Sequence, residues 1–195
     1  MLLATSELFD MPVMSLQTGA EIAQTNSAII DLGTLHILAY ELSGAQLDSH
    51  PSFLRIEDIR ELSDIGFIVD SSDEIITLDD IVVAKDIYTK HAKLEGMHVI
   101  DEQGTKLGKV LQSIMSTHTF RIEQLQVTRP FLQSFTETEL LIHREQIVDV
   151  TDETIIVRAA STDNKQHAKL EKQPFINPFR GASSPQPESA KADRR

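Results

Sequence analysis

The chain has 195 residues, of which 41% are hydrophobic and only 5% aromatic, and it contains neither tryptophan nor cysteine. The lack of cysteine excludes disulfides, thiolate chemistry and cysteine-ligated zinc within this chain. The formal net charge is −12, and residues 1–160 alone carry 11 basic against 26 acidic side chains. Such an acidic surface repels nucleic-acid phosphates and anionic lipid, so we expect a basic protein partner and no direct nucleic-acid binding.

The first residues, MLLATSELFDMPVMSLQ, lack the basic segment and the long apolar segment of a secretion signal. Nowhere in the sequence do about 18 apolar residues follow one another, as a membrane-spanning helix requires. We therefore expect a cytoplasmic protein without a membrane span.

Two stretches of the sequence resemble each other, LFDMPVMSLQTGAEIAQ at residues 8–24 and LEGMHVIDEQGTKLGKV at residues 94–110. Each has the pattern of a strand, a turn containing glycine and a second strand. Met11 matches Met97 at an offset of 86 residues. The pattern predicts the same hairpin twice.

The resemblance continues to the end of each unit, where Ile68 matches Ile156 at an offset of 88. A nearly constant offset is the sign of an internal repeat with small changes in loop length. We therefore predict two tandem units, at residues 4–76 and 93–158, which fold as small β-barrels and make the chain mainly β.

The segment between the units, residues 77–92, combines helix and strand signals. Its start, TLDD, resembles a helix cap, whereas the β-branched run IVV favours extended structure. The prediction is a short helix or a linker. The residues with helical spacing are Leu78, Ile81, Val82 and Lys85.

Strand signals are clearest in the second unit. Gly108 lies inside a strand, which predicts a β-bulge or a sharp bend of the kind that a small closed barrel needs. The interior of a small barrel is filled by side chains. The residues expected to be buried there are Val99, Leu107, Val127 and Ile156.

The final segment, residues 159–195, is rich in proline, serine and charged residues and poor in aliphatic ones. Too little apolar surface is available to offset the entropy of ordering it, so we predict a disordered tail. Within the tail lies PFINPFR, in which aromatic residues could anchor a docking motif, either on this protein's own barrels or on a partner. The candidate docking residues are Phe175, Asn177, Pro178 and Phe179.

The pattern LEGMHVI followed by a turn glycine and LGKV resembles the PRC-barrel domain, a small β-barrel found in the photosynthetic reaction centre H subunit and in a bacterial ribosome maturation factor. The resemblance covers roughly residues 4–158, and the first unit has Ala23 where the family favours glycine. It implies two tandem PRC-like barrels that act as interaction or assembly modules, without shared catalytic residues.

No catalytic, cofactor-binding or metal-binding motif is present. The seven histidines include no pair at metal-binding spacing, and the acidic stretch at residues 70–74 lacks the ligand spacing of a calcium loop. With eight well-separated glycines, no phosphate-binding loop can form. We therefore predict no cofactor and no enzymatic activity.

These observations predict a non-enzymatic cytoplasmic adaptor or scaffold that binds a second copy of itself or another protein, for which a basic surface is expected. The alternative is a ribosome or ribonucleoprotein assembly factor that acts through a basic protein partner.

Overall fold

The structure, a computed structural model, describes residues 1–80, 82–89, 93–129 and 139–158. Met1 to Ala160 form one compact unit. The predicted tail lies outside the described residues, as do its candidate docking residues Phe175, Asn177, Pro178 and Phe179. Both predictions stay untested.

The described chain is mainly β, which confirms the predicted fold class. The strands are β1 Leu2–Ala4, β2 Pro12–Ser15, β3 Ala20–Asp31, β4 His36–Ser43, β5 Ser52–Arg55, β6 Glu61–Ser63, β7 Gly66–Val69, β8 Ile75–Thr77, β9 His98–Asp101, β10 Lys106–Ser116, β11 Arg121–Thr128, β12 Glu139–His143, β13 Ile147–Val150 and β14 Thr154–Val157. The helix α1 spans Val82–Thr89, and short 3₁₀ turns connect several strands.

The pairing of β2 to β7 is repeated by β9 to β14. In the first half, β2, β3, β4 and β5 pair in antiparallel order, while β7 pairs antiparallel with β6 and parallel with β2. In the second half, β9, β10, β11 and β12 pair in the same antiparallel order. Strand β14 pairs antiparallel with β13 and parallel with β9. The two halves therefore have the same topology.

The register of the strands repeats as well. Val13 pairs with Phe67 in the first half, and Val99 pairs with Ile155 in the second. Across the hairpin, Val13 faces Ala23 and Val99 faces Gly108. Ala23 thus occupies the place of Gly108, as the sequence comparison predicts, and the ladder shifts register at Gly108 as expected of a bulge.

The halves meet through two equivalent hairpin tips. The Ile37 amide donates to the Phe120 carbonyl at 2.9 Å, and the Ile122 amide donates to the Leu35 carbonyl at 2.8 Å. Leu35 and Phe120 both have positive φ, at 57° and 52°. Reciprocal contacts of matched residues are the pattern of a two-fold interface, here between the halves of one chain.

The buried side chains of the two halves form one core. Tyr40 and Phe67 from the first half lie in the same apolar cluster as Met115 and Ile122 from the second. The Tyr40 hydroxyl donates to Met115 Sδ at 3.7 Å. The halves therefore share their main core within one compact unit, and their division into independent domains stays a prediction.

Three of the four residues expected in the interior face the core, but the prediction that Ile156 is buried was wrong. Val99 and Val127 are fully buried, and Leu107 is half-buried against the core. Ile156 is only half-buried because its neighbour Ile155 points inward, and side chains alternate along a strand. The match between Ile68 and Ile156 still holds, since both lie on the less buried face.

The segment that precedes each half contacts the long strand of the other half. Strand β1 precedes the first half and pairs with β10, with Ala4 opposite Ile114. Helix α1 precedes the second half and packs against β3. The helix is one of the two forms predicted for this segment, a short helix or a linker. In the turn before it, Asp80 Oδ2 accepts from both the hydroxyl and the amide of Thr77. These hydrogen bonds lower the pKa of the Asp80 carboxyl.

We expect the contact between the hairpins to weaken in acid. Arg121 Nε donates to His36 Nε2 at 2.6 Å, which requires a neutral imidazole. Partial burial, with the positive charges of Arg121 and Arg144, lowers the pKa of His36. The unfolded state then binds more protons than the folded one, so stability is present above a pH of about 6.5 and declines below it.

Urea unfolding at about pH 7.5 and about pH 5.5 measures this loss, since the interval spans the ordinary histidine pKa. His36→Gln removes the titrating group, so this variant should lose less stability over the same interval. An equal loss in both proteins would contradict the assignment to His36.

Candidate functional site

A groove of about 460 Å³ lies where β3, α1 and the start of the second half meet. The β3 segment 26–30 lines it, and α1 contributes Ile87 and Tyr88. Its lining combines apolar, hydroxyl and charged side chains. The residues that line it are Thr5, Phe9, Asn26, Ser27, Ala28, Ile29, Ile30, Glu41, Ile87, Tyr88, Lys93 and Glu95.

The wall of the groove is a strand edge without a strand partner among the described residues. β3 pairs with β2 over Ala20–Gln24, and Thr25 continues this side through backbone hydrogen bonds with Asp10 and Met11. From Asn26 onward, β3 pairs only with β4, on its other side, among the described residues. At the equivalent place in the second half, β1 pairs with β10. An open edge offers backbone donors and acceptors to an added strand.

Glu41 is the carboxylate that the first half contributes to the groove. Its Oε2 accepts from Ser27 Oγ at 2.8 Å, and its Oε1 accepts from the Tyr88 hydroxyl at 3.1 Å. Partial burial and the hydrogen bond to Glu41 raise the pKa of Tyr88. The two bonds tie α1 to β3 and hold a negative charge in the groove.

Glu95 is the carboxylate from the second half. Its Oε1 accepts from Ser113 Oγ at 2.5 Å and from the Ser113 amide at 3.3 Å, while the Thr5 hydroxyl lies 2.7 Å from Ser113 Oγ. Ser113 and Thr5 are buried, so neither hydroxyl is placed to attack a substrate. This cluster fixes the Glu95 side chain at the groove and satisfies two buried hydroxyls.

Within the described ranges, no three histidine, aspartate or glutamate side chains lie close enough to hold a metal ion. The helix of the described chain is too short to cross a membrane. The groove is therefore best described by its open strand edge, its apolar lining and its carboxylates.

The sequence did not point to this groove. Its residues come from both halves and from the segments that precede them, so their proximity depends on the tertiary fold. One signal was present, because the matched positions Phe9 and Glu95 differ in chemistry while their neighbours Leu8 and Leu94 are both buried and apolar. Phe9 is half-buried and Glu95 is exposed, so this difference between matched positions is a sequence sign that the two halves differ here.

Residues 89–163 match the family model of the PRC-barrel domain. The match covers less than half of the chain and confirms the resemblance for the second half. No curated protein matches the chain.

Proposed function

We propose that the chain is a non-enzymatic protein-interaction module that binds an extended segment of a basic partner in the groove along β3. The observation that carries the proposal is that no strand pairs with β3 over residues 26–30 on its groove side among the described residues, whereas β1 pairs with β10 in the second half. An added partner strand would form hydrogen bonds with the backbone groups of the β3 edge, and the side chains that line the groove would determine which partner side chains fit.

We further propose that the first half is a second PRC-like unit, so that the chain carries two in tandem. This proposal is supported by the strand pairing, which is the same in both halves. It is also supported by the register, in which Val13 pairs with Phe67 as Val99 pairs with Ile155. A PRC-barrel domain suggests an interaction module, and the adaptor role and the cytoplasmic location are part of this proposal. The first half departs from the family pattern at Ala23, which stands at the bulge position, and the family match is confined to residues 89–163.

The charge of the groove favours a basic ligand. Glu41 and Glu95 outnumber the one cation in its lining, Lys93, and the surrounding residues 1–160 are strongly acidic. Long-range attraction would speed the encounter with a basic partner and weaken as salt rises. The same field opposes direct contact with nucleic acid.

A labelled peptide with the sequence KKLLATKK tests the proposal, because LLAT is the sequence of β1 and the residue after it. We expect its fluorescence anisotropy to rise with the full-length protein, with a dissociation constant of about 10–500 µM for so short a strand. The control peptide EELLATEE and a single-stranded RNA should bind far more weakly. Equal binding of both peptides would contradict the charge argument.

Two charge substitutions in the groove should move the affinity in opposite directions. Lys93→Glu should strengthen binding of KKLLATKK, and Asn26→Lys should weaken it, each by about 2–5-fold, because one exposed charge contributes at most about 1 kcal/mol. Both residues are exposed. Lys109→Glu, on an exposed residue outside the groove, is the matched control and should have a smaller effect.

Affinity capture of the full-length chain from its native cytoplasm separates the adaptor from the assembly factor. We expect one or a few basic proteins in the eluate. Ribosomal proteins as the main product would favour the assembly-factor alternative instead.

A further inference from the structure

The outer face of the first half is covered by the residues that follow β7. Phe53 on β5 is fully buried there and packs with Ile29 and Ala39. Strand β8 pairs with β5, with Ile76 opposite Phe53. The cover is completed by side chains of the following turn and helix, which are Leu78, Ile87 and Tyr88.

The equivalent face of the second half is open among the described residues. Phe53 pairs with Glu41 on β4, and Leu141 pairs with Gln126 at the same place on β11, so Leu141 is the counterpart of Phe53. Leu141 is 46% exposed and Leu111 is 50% exposed, whereas Phe53 is 0% exposed. Strand β12 pairs with β11 on one side only in the part of the chain that the structure describes.

The sequence after β14 does not contain a counterpart of β8. Strand β8 begins six residues after Val69, the last residue of β7, and carries two isoleucines. Six residues after Val157, the last residue of β14, the sequence is Asp163-Asn164-Lys165. The residues directly after β14 therefore do not provide an aliphatic strand at the spacing of β8.

We propose that the outer edge of β12 pairs antiparallel with β12 of a second copy of this chain. Paired about Leu141, the strand is self-complementary, because Leu141 lies opposite Leu141 of the second copy and Leu140 lies opposite Ile142. At the ends, each Glu139 carboxylate lies opposite a His143 imidazole. This arrangement gives Leu141 an aliphatic neighbour, as Ile76 does for Phe53.

The exposure pattern of β12 suits such a pairing. Glu139, Leu141 and His143 are exposed, while Ile142 between them is buried in the core. Gln126 donates to the Glu139 carboxylate, which keeps that side chain on the outer face. The pairing would extend the sheet through an aliphatic edge of the kind that otherwise promotes association.

The dimer should be weak. One short strand and two leucines from each copy bury less than the roughly 1,200 Å² of a standard stable interface. Sedimentation equilibrium of the full-length chain over about 10–1,000 µM should therefore show a reversible monomer and dimer mixture. A monomer at every concentration would overturn the proposal.

Leu141→Lys should raise the dimer dissociation constant at least tenfold, because two like charges would meet on the two-fold axis. Leu16→Lys is the matched control, since Leu16 is 54% exposed on the first half. The control should leave the dissociation constant unchanged. A dimer that survives Leu141→Lys, or one that Leu16→Lys disrupts equally, would overturn the β12 interface.

A charge exchange at the strand ends tests the register. Glu139→Lys places a cation opposite each histidine, and His143→Glu places two carboxylates opposite each other, so each single variant should weaken the dimer. The double variant pairs lysine with glutamate and should restore it. Failure of the double variant to recover, with unfolding curves that show all variants folded, would contradict pairing about Leu141.

Discussion

Replacing Gly108 with alanine should destabilise the folded chain by roughly 3–5 kcal/mol, or prevent folding altogether. Gly108 has a φ of 156°, and a Cβ placed there would lie 2.1 Å from the Thr128 carbonyl oxygen and 2.8 Å from Val127 Cγ1. Both contacts are far below van der Waals distance, and the nearer atom is backbone within the ladder between β10 and β11. To remove these clashes, β10 and β11 would have to separate next to Gly108.

Gly104→Ala is the control for this experiment. Gly104 also has positive φ, at 82°, but a Cβ there would meet nothing within 4 Å. Only the backbone cost of about 1 kcal/mol applies. Urea unfolding measures the free energy of unfolding of both variants. Equal losses of stability would contradict the prediction, because they would show that the structure accommodates a Cβ at Gly108 without additional cost.

Replacing Ile122 with alanine should destabilise both halves together, by about 2–5 kcal/mol. Ile122 is fully buried, and it lies in the core cluster that contains Tyr40 and Phe67 of the first half. Its amide also donates across the contact between the hairpin tips, to Leu35. A cavity at this place therefore removes contacts on both sides of the approximate two-fold axis.

Hydrogen exchange measured peptide by peptide distinguishes a shared core from separate ones. In the Ile122→Ala variant, the exchange of β3 and β10 should accelerate by similar factors, since the core opens as one unit. Leu111→Ala, at a half-exposed position on the same strand ladder, should change stability by less than about 0.5 kcal/mol. Faster exchange confined to the second half would contradict the shared core.

The local pattern of the sequence predicted much of the fold. The turn glycines Gly19 and Gly104 both adopt positive φ, and the bulge at Gly108 lies where the interrupted strand pattern placed it. These features depend on the conformational range of single residues, which sequence shows directly. The error at Ile156 arose in a run of four adjacent β-branched residues, where the neighbours Ile155 and Ile156 are identical and point to opposite faces of the strand.

The relation between the two halves could not be predicted in this way. The contact of Arg121 with His36, the pairing of β1 with β10 and the packing of α1 on β3 join residues about 50 to 115 positions apart. Nothing in the local pattern distinguishes two separate barrels from two halves with one core. The groove follows from the same long-range arrangement. The local sequence pattern likewise does not show that β12 has one edge without a partner among the described residues.

We propose that an extended partner segment binds along β3 at residues 26–30, where the described chain places no strand on the groove side. The most direct measurement is the amide NMR spectrum of the full-length protein titrated with KKLLATKK. We predict the largest shifts along residues 26–30 and in Tyr88 and Lys93, because these residues line the groove. Shifts confined to β12, or saturable binding that leaves residues 26–30 unperturbed, would contradict the claim.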